Sequence, residues 1–170
     1  LHLMLARDYL ERFDITVLVR DPRDAEKLAQ LGVTPVLGSL DNHDLLKTEA
    51  ARASVVFSTA NCDHRESVVS ILSGQEQRYS ETRQRPILIH TSGAGVLTAH
   101  SAGTGIPPDE DTEAGPWDDA DWGRHASIPP HAPHRFVDLA VFAAAEQGFV
   151  KASLVVPPTV FGHGLGPFAT

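Results

Sequence analysis

The stretch Pro86-Ile-Leu-Ile-His-Thr-Ser-Gly-Ala-Gly95 decides the fold. Ile87, Leu88 and Ile89 form a short apolar run, with Pro86 before it and small polar residues and glycines after it. This is the pattern of a fully buried parallel strand that ends in a loop at its carboxyl edge. Ligands of open α/β sheets sit outside the carboxyl ends of strands. Ser92 is therefore expected at the mouth of a site, where Gly93 and Gly95 allow close approach. The competing reading is a strand followed by an ordinary turn.

Working outward, strands and helices alternate. Residues 1–12 carry apolar positions at helical spacing and read as the tail of an amphipathic helix. Ile15–Val19 is a β-branched strand. Asp21-Pro22 opens a helix, with Asp as N-cap and Pro in the first turn, and Gly32 closes it. Val33–Leu37 is the next strand. Asp41 is placed to cap a helix running to Ala51. Ser54–Ser58 is a third strand, followed by a helix over about 63–79. After the Ile87 strand the alternation stops, and residues 98–133 are rich in proline, glycine and acids. A loop of that length is expected to be irregular and to cover the carboxyl edge, pinned by Trp117, Trp122 and Ile128. His134–Gln147 is helical, and Ala152–Val156 is the fifth strand. The order predicts an α/β fold, a doubly wound parallel sheet with helices on both faces.

The chain has 170 residues, a net charge of −8 and 42% hydrophobic residues. That suffices for one domain with a real core. The negative charge argues against nucleic acid or an anionic membrane as partner. Cys62 is the sole cysteine. No internal disulfide can form, and a reducing, cytoplasmic setting is expected. No apolar run reaches membrane-spanning length. His125, His131 and His134 match no zinc-binding spacing, so no metal is expected.

Val-Leu-Val-Arg-Asp-Pro (17–22), Val-Leu-Gly-Ser-Leu-Asp (36–41), Val-Val-Phe-Ser-Thr-Ala-Asn (55–61), Ile-His-Thr-Ser-Gly (89–93) and Val-Val-Pro-Pro-Thr-Val-Phe-Gly (155–162) together resemble a known family. It is that of the extended short-chain dehydrogenase/reductases, in its atypical, NmrA-like and epimerase-like fungal branch. The resemblance implies a Rossmann-like fold in which residues 1–170 are a partial NAD(P)-binding domain with a loop insertion at 98–133. The family's Gly-x-x-Gly-x-x-Gly turn, which holds the pyrophosphate at a helix N-terminus, is absent from this sequence. The resemblance therefore implies that the first strand and its glycine turn lie before Leu1, and that both ends are truncated. With the family order 3-2-1-4-5-6, the strands at Ile15 and Ser54 would then face each other across a gap. The chain alone would bind dinucleotide weakly.

The resemblance also places cofactor positions. Arg20, ending a strand, would meet the adenosine ribose and pair with a 2′-phosphate, which implies NADP with NAD as the lesser cofactor. The plain alternative is a solvated arginine beside a helix cap. Ser39, Leu40 and Asp41 match the adenine-side loop, or else a helix cap and a core leucine. Thr59, Ala60 and Asn61 match the loop past the nicotinamide ribose, or else a strand-end turn. Pro157, Thr159 and Val160 match the loop beside nicotinamide and substrate.

In the family a Ser or Thr works with Tyr-x-x-x-Lys. Ser92 fits the first role, and no Tyr-x-x-x-Lys pair follows it. In its place stands His134-Arg-Phe-Val-Asp138. Spacing of four puts His134 and Asp138 on one helix face, either as a proton donor with its carboxylate or as a surface ion pair. Two functions compete. One is an NAD(P)-dependent oxidoreductase or epimerase-like enzyme acting on a small carbonyl or alcohol. The other is a non-catalytic NADP-binding redox sensor with a regulatory protein partner.

Overall fold

The computed structural model describes residues 9–98 and 117–162. Residues 1–8 of the helix expected over 1–12, residues 99–116 of the loop expected over 98–133, and residues 163–170 lie outside the described residues. Tyr9–Glu11 form a single 3-10 turn.

Five parallel strands follow, β1 (Thr16–Val19), β2 (Thr34–Leu37), β3 (Val55–Ser58), β4 (Ile87–Thr91) and β5 (Lys151–Val155). They alternate with α1 (Pro22–Gln30), α2 (His43–Arg52), α3 (Arg65–Thr82), the short α4 (Trp122–Ala126) and α5 (Arg135–Glu146). The fold is mixed α/β with parallel sheets flanked by helices, consistent with a Rossmann-like architecture. β1 pairs with β2, and β3-β4-β5 form a second sheet. The two sheets part between β1 and β3, the place that the order 3-2-1-4-5-6 gives to one further strand.

Local chemistry sets the helix ends. The Asp21 side chain accepts the Arg23 N–H, and Pro22 opens α1. Gly32, at φ +80°, turns the chain out of α1. Asp41 does not cap α2. Asn42 holds that position, and its Oδ1 accepts instead from Ser39 N–H at 2.7 Å. Asp41 faces the His64 ring across the sheet edge.

The main core joins Leu46 and Ala50 of α2, Val68, Ile71 and Leu72 of α3, Leu88 of β4, and Val137, Val141 and Ala144 of α5. α2 lies tightly on α3, and Arg78 Nη1 reaches across to the Arg52 carbonyl at 3.0 Å, satisfying a helix-end acceptor. β4 is not fully buried as its apolar run suggests. Leu88 and His90 are buried, whereas Ile87 is 38% exposed. Val55, Phe57 and Val155 are exposed as well, so among the described residues only one face of the three-stranded sheet is covered by helices.

Residues 117–133 are irregular apart from α4. Ile128 and Ala132 are buried with Val96, and Trp117 packs against them with Leu97 and Val156. That segment thus rests on the carboxyl ends of β4 and β5. Trp122 is not one of the pins. It is 69% exposed, because Asp121 caps α4 just before it and α4 lies on the surface.

His90 has no exposed surface. Its Nδ1 lies 3.1 Å from Ser58 Oγ, and Nε2 has no partner among the described residues. Burial pushes its pKa below the ordinary 6.5. The unfolded chain then takes up a proton more readily than the folded one. Stability is complete above the unfolded value and is lost as pH falls below it. Urea midpoints are expected to drop between about pH 7.5 and about pH 5.5, and the drop should shrink in His90→Gln. An identical drop in the variant would acquit His90.

Candidate functional site

The carboxyl ends of the strands bring the candidate residues to one edge. The turn after β4 is fixed by the chain after β5: Ser92 N–H donates to the Val155 carbonyl at 2.9 Å, and Ala94 N–H to the Pro157 carbonyl at 3.1 Å. The loop after β2 is tied to the start of α3 by the His64–Asp41 contact at 3.2 Å. His64 Nδ1 accepts the Ser67 N–H, so Nε2 carries the proton that Asp41 receives.

Ser92 is not at an open mouth. It is 4% exposed, and its hydroxyl donates to Asp138 Oδ2 at 3.0 Å. Asp138 is 1% exposed, and its Oδ1 has no partner among the described residues. Burial pushes the Asp138 carboxyl pKa up, against the Ser92 hydrogen bond and the charges of Arg135 and His134. The neighbouring Arg135 is also buried, and its Nη2 donates to the His125 carbonyl at 3.0 Å.

His134 does not pair with Asp138. It precedes α5 in the left-handed region, φ 65°, and so leaves the helical face that a spacing of four assumes. A left-handed non-glycine backbone costs on the order of 1–3 kcal/mol and persists only where surrounding structure holds it. Here the ring is held on two sides. Nδ1 lies 2.8 Å from Asp63 Oδ1 and 3.3 Å from Cys62 Sγ. The carboxylate demands a proton on Nδ1, which leaves the Nε2 lone pair free. On the other side the ring lies over the turn after Ser92. A Cβ on Gly93 would stand 2.9 Å from Nε2, and one on Gly95 3.1 Å. Space is tight at both: a methyl group on Gly93 would have to shift the imidazole, and one on Gly95 would need it to give by a few tenths of an ångström.

The sequence reading missed Cys62, Asp63 and the roles of Gly93 and Gly95. Cys62 and Asp63 directly follow Thr59-Ala60-Asn61, a carboxyl-edge loop already singled out, and that adjacency was the available signal. Their contacts with His134 span 72 and 71 residues and leave no local pattern. Thr59, Ala60 and Asn61 are exposed, and Asn61 Oδ1 accepts the Asp63 N–H at 2.9 Å, which turns Cys62 and Asp63 toward the ring. Cys62 is half-buried, and its thiol pKa is pushed up by burial and by the Asp63 carboxylate. His125 and His131 do not join His134 in any ligand cluster among the described residues.

The remaining candidates lie further along the same edge. Arg20 is exposed beside a shallow depression lined by Val19, Arg20, Asp21, Pro22 and Asp24. Asp21 next to it is occupied: Arg23 holds both carboxylate oxygens, with Nη2 at 2.6 Å, and keeps the Asp21 pKa at about 2. Ser39 and Leu40 are half-buried, and the Asp41 N–H donates to Ser39 Oγ at 3.1 Å. Pro157 is half-buried, whereas Thr159 and Val160 are exposed.

No known family profile matches the chain. Over 177 residues it is 29% identical to Uncharacterized protein C2A9.02 of Schizosaccharomyces pombe, a match that covers 94% of this chain and 50% of that protein. Over 90 residues it is 34% identical to Oxidase ucsJ of Acremonium sp., covering 50% of this chain and 24% of that protein. The chain spans about half the length or less of these curated relatives. Among the described residues no helix is long and apolar enough to cross a membrane.

Proposed function

We propose that the chain is the dinucleotide-binding part of an oxidoreductase that uses NADP(H) on a small carbonyl or alcohol. The observation that carries this reading is the fixed His134 ring. Asp63 holds its Nδ1 while Nε2 faces the Ser92–Gly95 turn at the carboxyl edge of a parallel sheet. That is where ligands of such sheets sit. The similarity to a protein named Oxidase ucsJ supports the same class of chemistry.

In this reading the dinucleotide supplies or takes the hydride. His134 Nε2 receives the proton from an alcohol or, once protonated, gives it to a carbonyl oxygen, in place of the absent tyrosine. Asp63 orients the ring and steadies the imidazolium. Ser92 and Asp138 form the buried floor that keeps the Gly93–Gly95 backbone in place. Ser39, Leu40 and Asp41 border the adenine, and Thr59, Ala60 and Asn61 the nicotinamide ribose. Pro157, Thr159 and Val160 border the substrate. The test is hydride transfer from NADPH to a panel of small aldehydes and ketones by the full-length protein. Absence of turnover together with absence of NADPH binding would remove the reading.

Arg20 sets the expected cofactor preference. It has no ion-pair partner among the described residues, and Arg23 already neutralises Asp21. A charge-assisted bond to the 2′-phosphate contributes roughly 1.5–3 kcal/mol, a preference of about ten- to hundred-fold for NADP(H). Arg20→Ala is expected to erase it without weakening NAD(H). Equal Kd values for the two cofactors in the unaltered protein would contradict this.

A second reading is favoured by the burial of Ser92, whose hydroxyl is spent on Asp138. A protein that binds NADP(H) without turnover would report the cofactor's redox state to a protein partner, and the same assay separates the two.

A further inference from the structure

Three side chains of different chemistry converge where neither the fold nor the proposed proton transfer needs all of them. Cys62 Sγ, Asp63 Oδ1 and His134 Nδ1 all lie within 4.8 Å of one another. Two of them compete for one nitrogen, Oδ1 at 2.8 Å and Sγ at 3.3 Å. A ring nitrogen has a single in-plane direction, for one proton or one lone pair. The carboxylate takes it, and the sulfur gains little. This arrangement is also wrong for a nucleophile–base–orienter triad. In a triad the nucleophile and the carboxylate sit on opposite nitrogens of the imidazole. Cys62 is thus not set up as a nucleophile activated by His134.

We propose that Cys62 Sγ, Asp63 Oδ1 and His134 Nδ1 form a binding site for one divalent cation of the zinc class, with a fourth position left open. Zinc bonds of about 2.0–2.3 Å to O, N and S place tetrahedral ligand atoms roughly 3.3–3.6 Å apart. From Nδ1, Oδ1 at 2.8 Å and Sγ at 3.3 Å need to open by only about half an ångström or less to reach that spacing, and Sγ and Oδ1 lie within 4.8 Å of each other. A thiol with an imidazole selects zinc, cobalt or a similar borderline metal over calcium or magnesium, which prefer all-oxygen shells. Three protein ligands and an open position are the pattern of accessible rather than closed zinc sites. Binding releases the Cys62 thiol proton to solvent and moves the imidazole proton from Nδ1 to Nε2. The cation then replaces the Nδ1–H···Asp63 bond. Resting on the proton role proposed above, occupancy puts a proton on Nε2 and so withdraws His134 from accepting one from an alcohol.

The test is a titration of the reduced, metal-free chain with Co²⁺, followed by displacement with Zn²⁺. Cys62 is the only cysteine, so a thiolate-to-cobalt charge-transfer band reports this site alone. The expected result is such a band with d–d absorption of tetrahedral intensity, saturating at one equivalent and lost on addition of Zn²⁺. Cys62→Ser should abolish the band and weaken binding by more than about 100-fold, since even second-shell losses cost about 10–100-fold. Asp63→Asn, at an exposed position that should not disturb folding, should keep the band and weaken binding by about tenfold. Absence of the band, its survival in Cys62→Ser, or unchanged affinity in Asp63→Asn would each overturn the site. The titration requires no turnover, so its failure is distinct from failure of the oxidoreductase reading, which rests on NADPH binding and hydride transfer.

Discussion

His134→Ala is expected to lower turnover of NADPH-dependent carbonyl reduction by about 10²–10⁴-fold, the usual contribution of a positioned acid or base. NADPH affinity should hardly change, because the ring faces the turn after Ser92 rather than the Arg20 end of the sheet. The loss should appear in kcat and in kcat/KM alike, as for an interaction made in the transition state. Gly93→Val offers an independent arm that leaves the imidazole in the sequence. Its Cβ would meet Nε2 at 2.9 Å, so the ring must swing away from the site, and turnover should fall with it. Assays in the presence of a chelator keep a bound cation from confusing the comparison. Unchanged kcat in both variants would leave the enzyme reading without its acid and favour the sensor.

Gly74→Leu is expected to be the most damaging single change to stability away from the site. Gly74 is buried in α3 against α2. A Cβ there would run into the backbone carbonyl of Lys47, with Ala50 Cβ at 2.9 Å and Ala51 N at 3.0 Å. Backbone cannot move aside as a side-chain tip can, so α2 must lift from α3 and open the core around Leu46, Ala50, Ile71 and Leu72. Overpacking of this kind costs roughly 3 kcal/mol or more. Gly74→Ala makes the diagnosis by sign. At an exposed helix position that change stabilises by about 1 kcal/mol. Here the contact with the Lys47 carbonyl should reverse it. A rise in the urea midpoint of Gly74→Ala would show that the two helices are not as close as described.

Much of the fold was legible because its signals are local. The β-branched run at Thr16–Val19, the Asp21-Pro22 helix start and the glycines after α1 and α5 each act within a few residues. Their alternation fixed the parallel α/β class, since a parallel neighbour requires a crossover. Burial was less legible. Ile87 read as part of a fully buried strand, yet it stands with Phe57 on the sheet face that no described helix covers. Hydrophobicity records what a residue can bury, not what arrives to cover it.

The site divides along the same line. The sequence by itself determined that Ser92, His134 and Asp138 belong to the carboxyl edge, because strand ends and a helix start place their backbones there. Only the tertiary structure decided their partners. Helical spacing joined His134 to Asp138, but the left-handed backbone at His134 broke that pairing. Asp138 turned inward to Ser92, and the imidazole went to Asp63 and Cys62. The physical reason is range. A cap or a strand is selected by neighbours in sequence, whereas a side-chain pair more than 70 residues apart is selected by the packing of β3, β4 and α5. The space Gly93 and Gly95 leave open completes that selection.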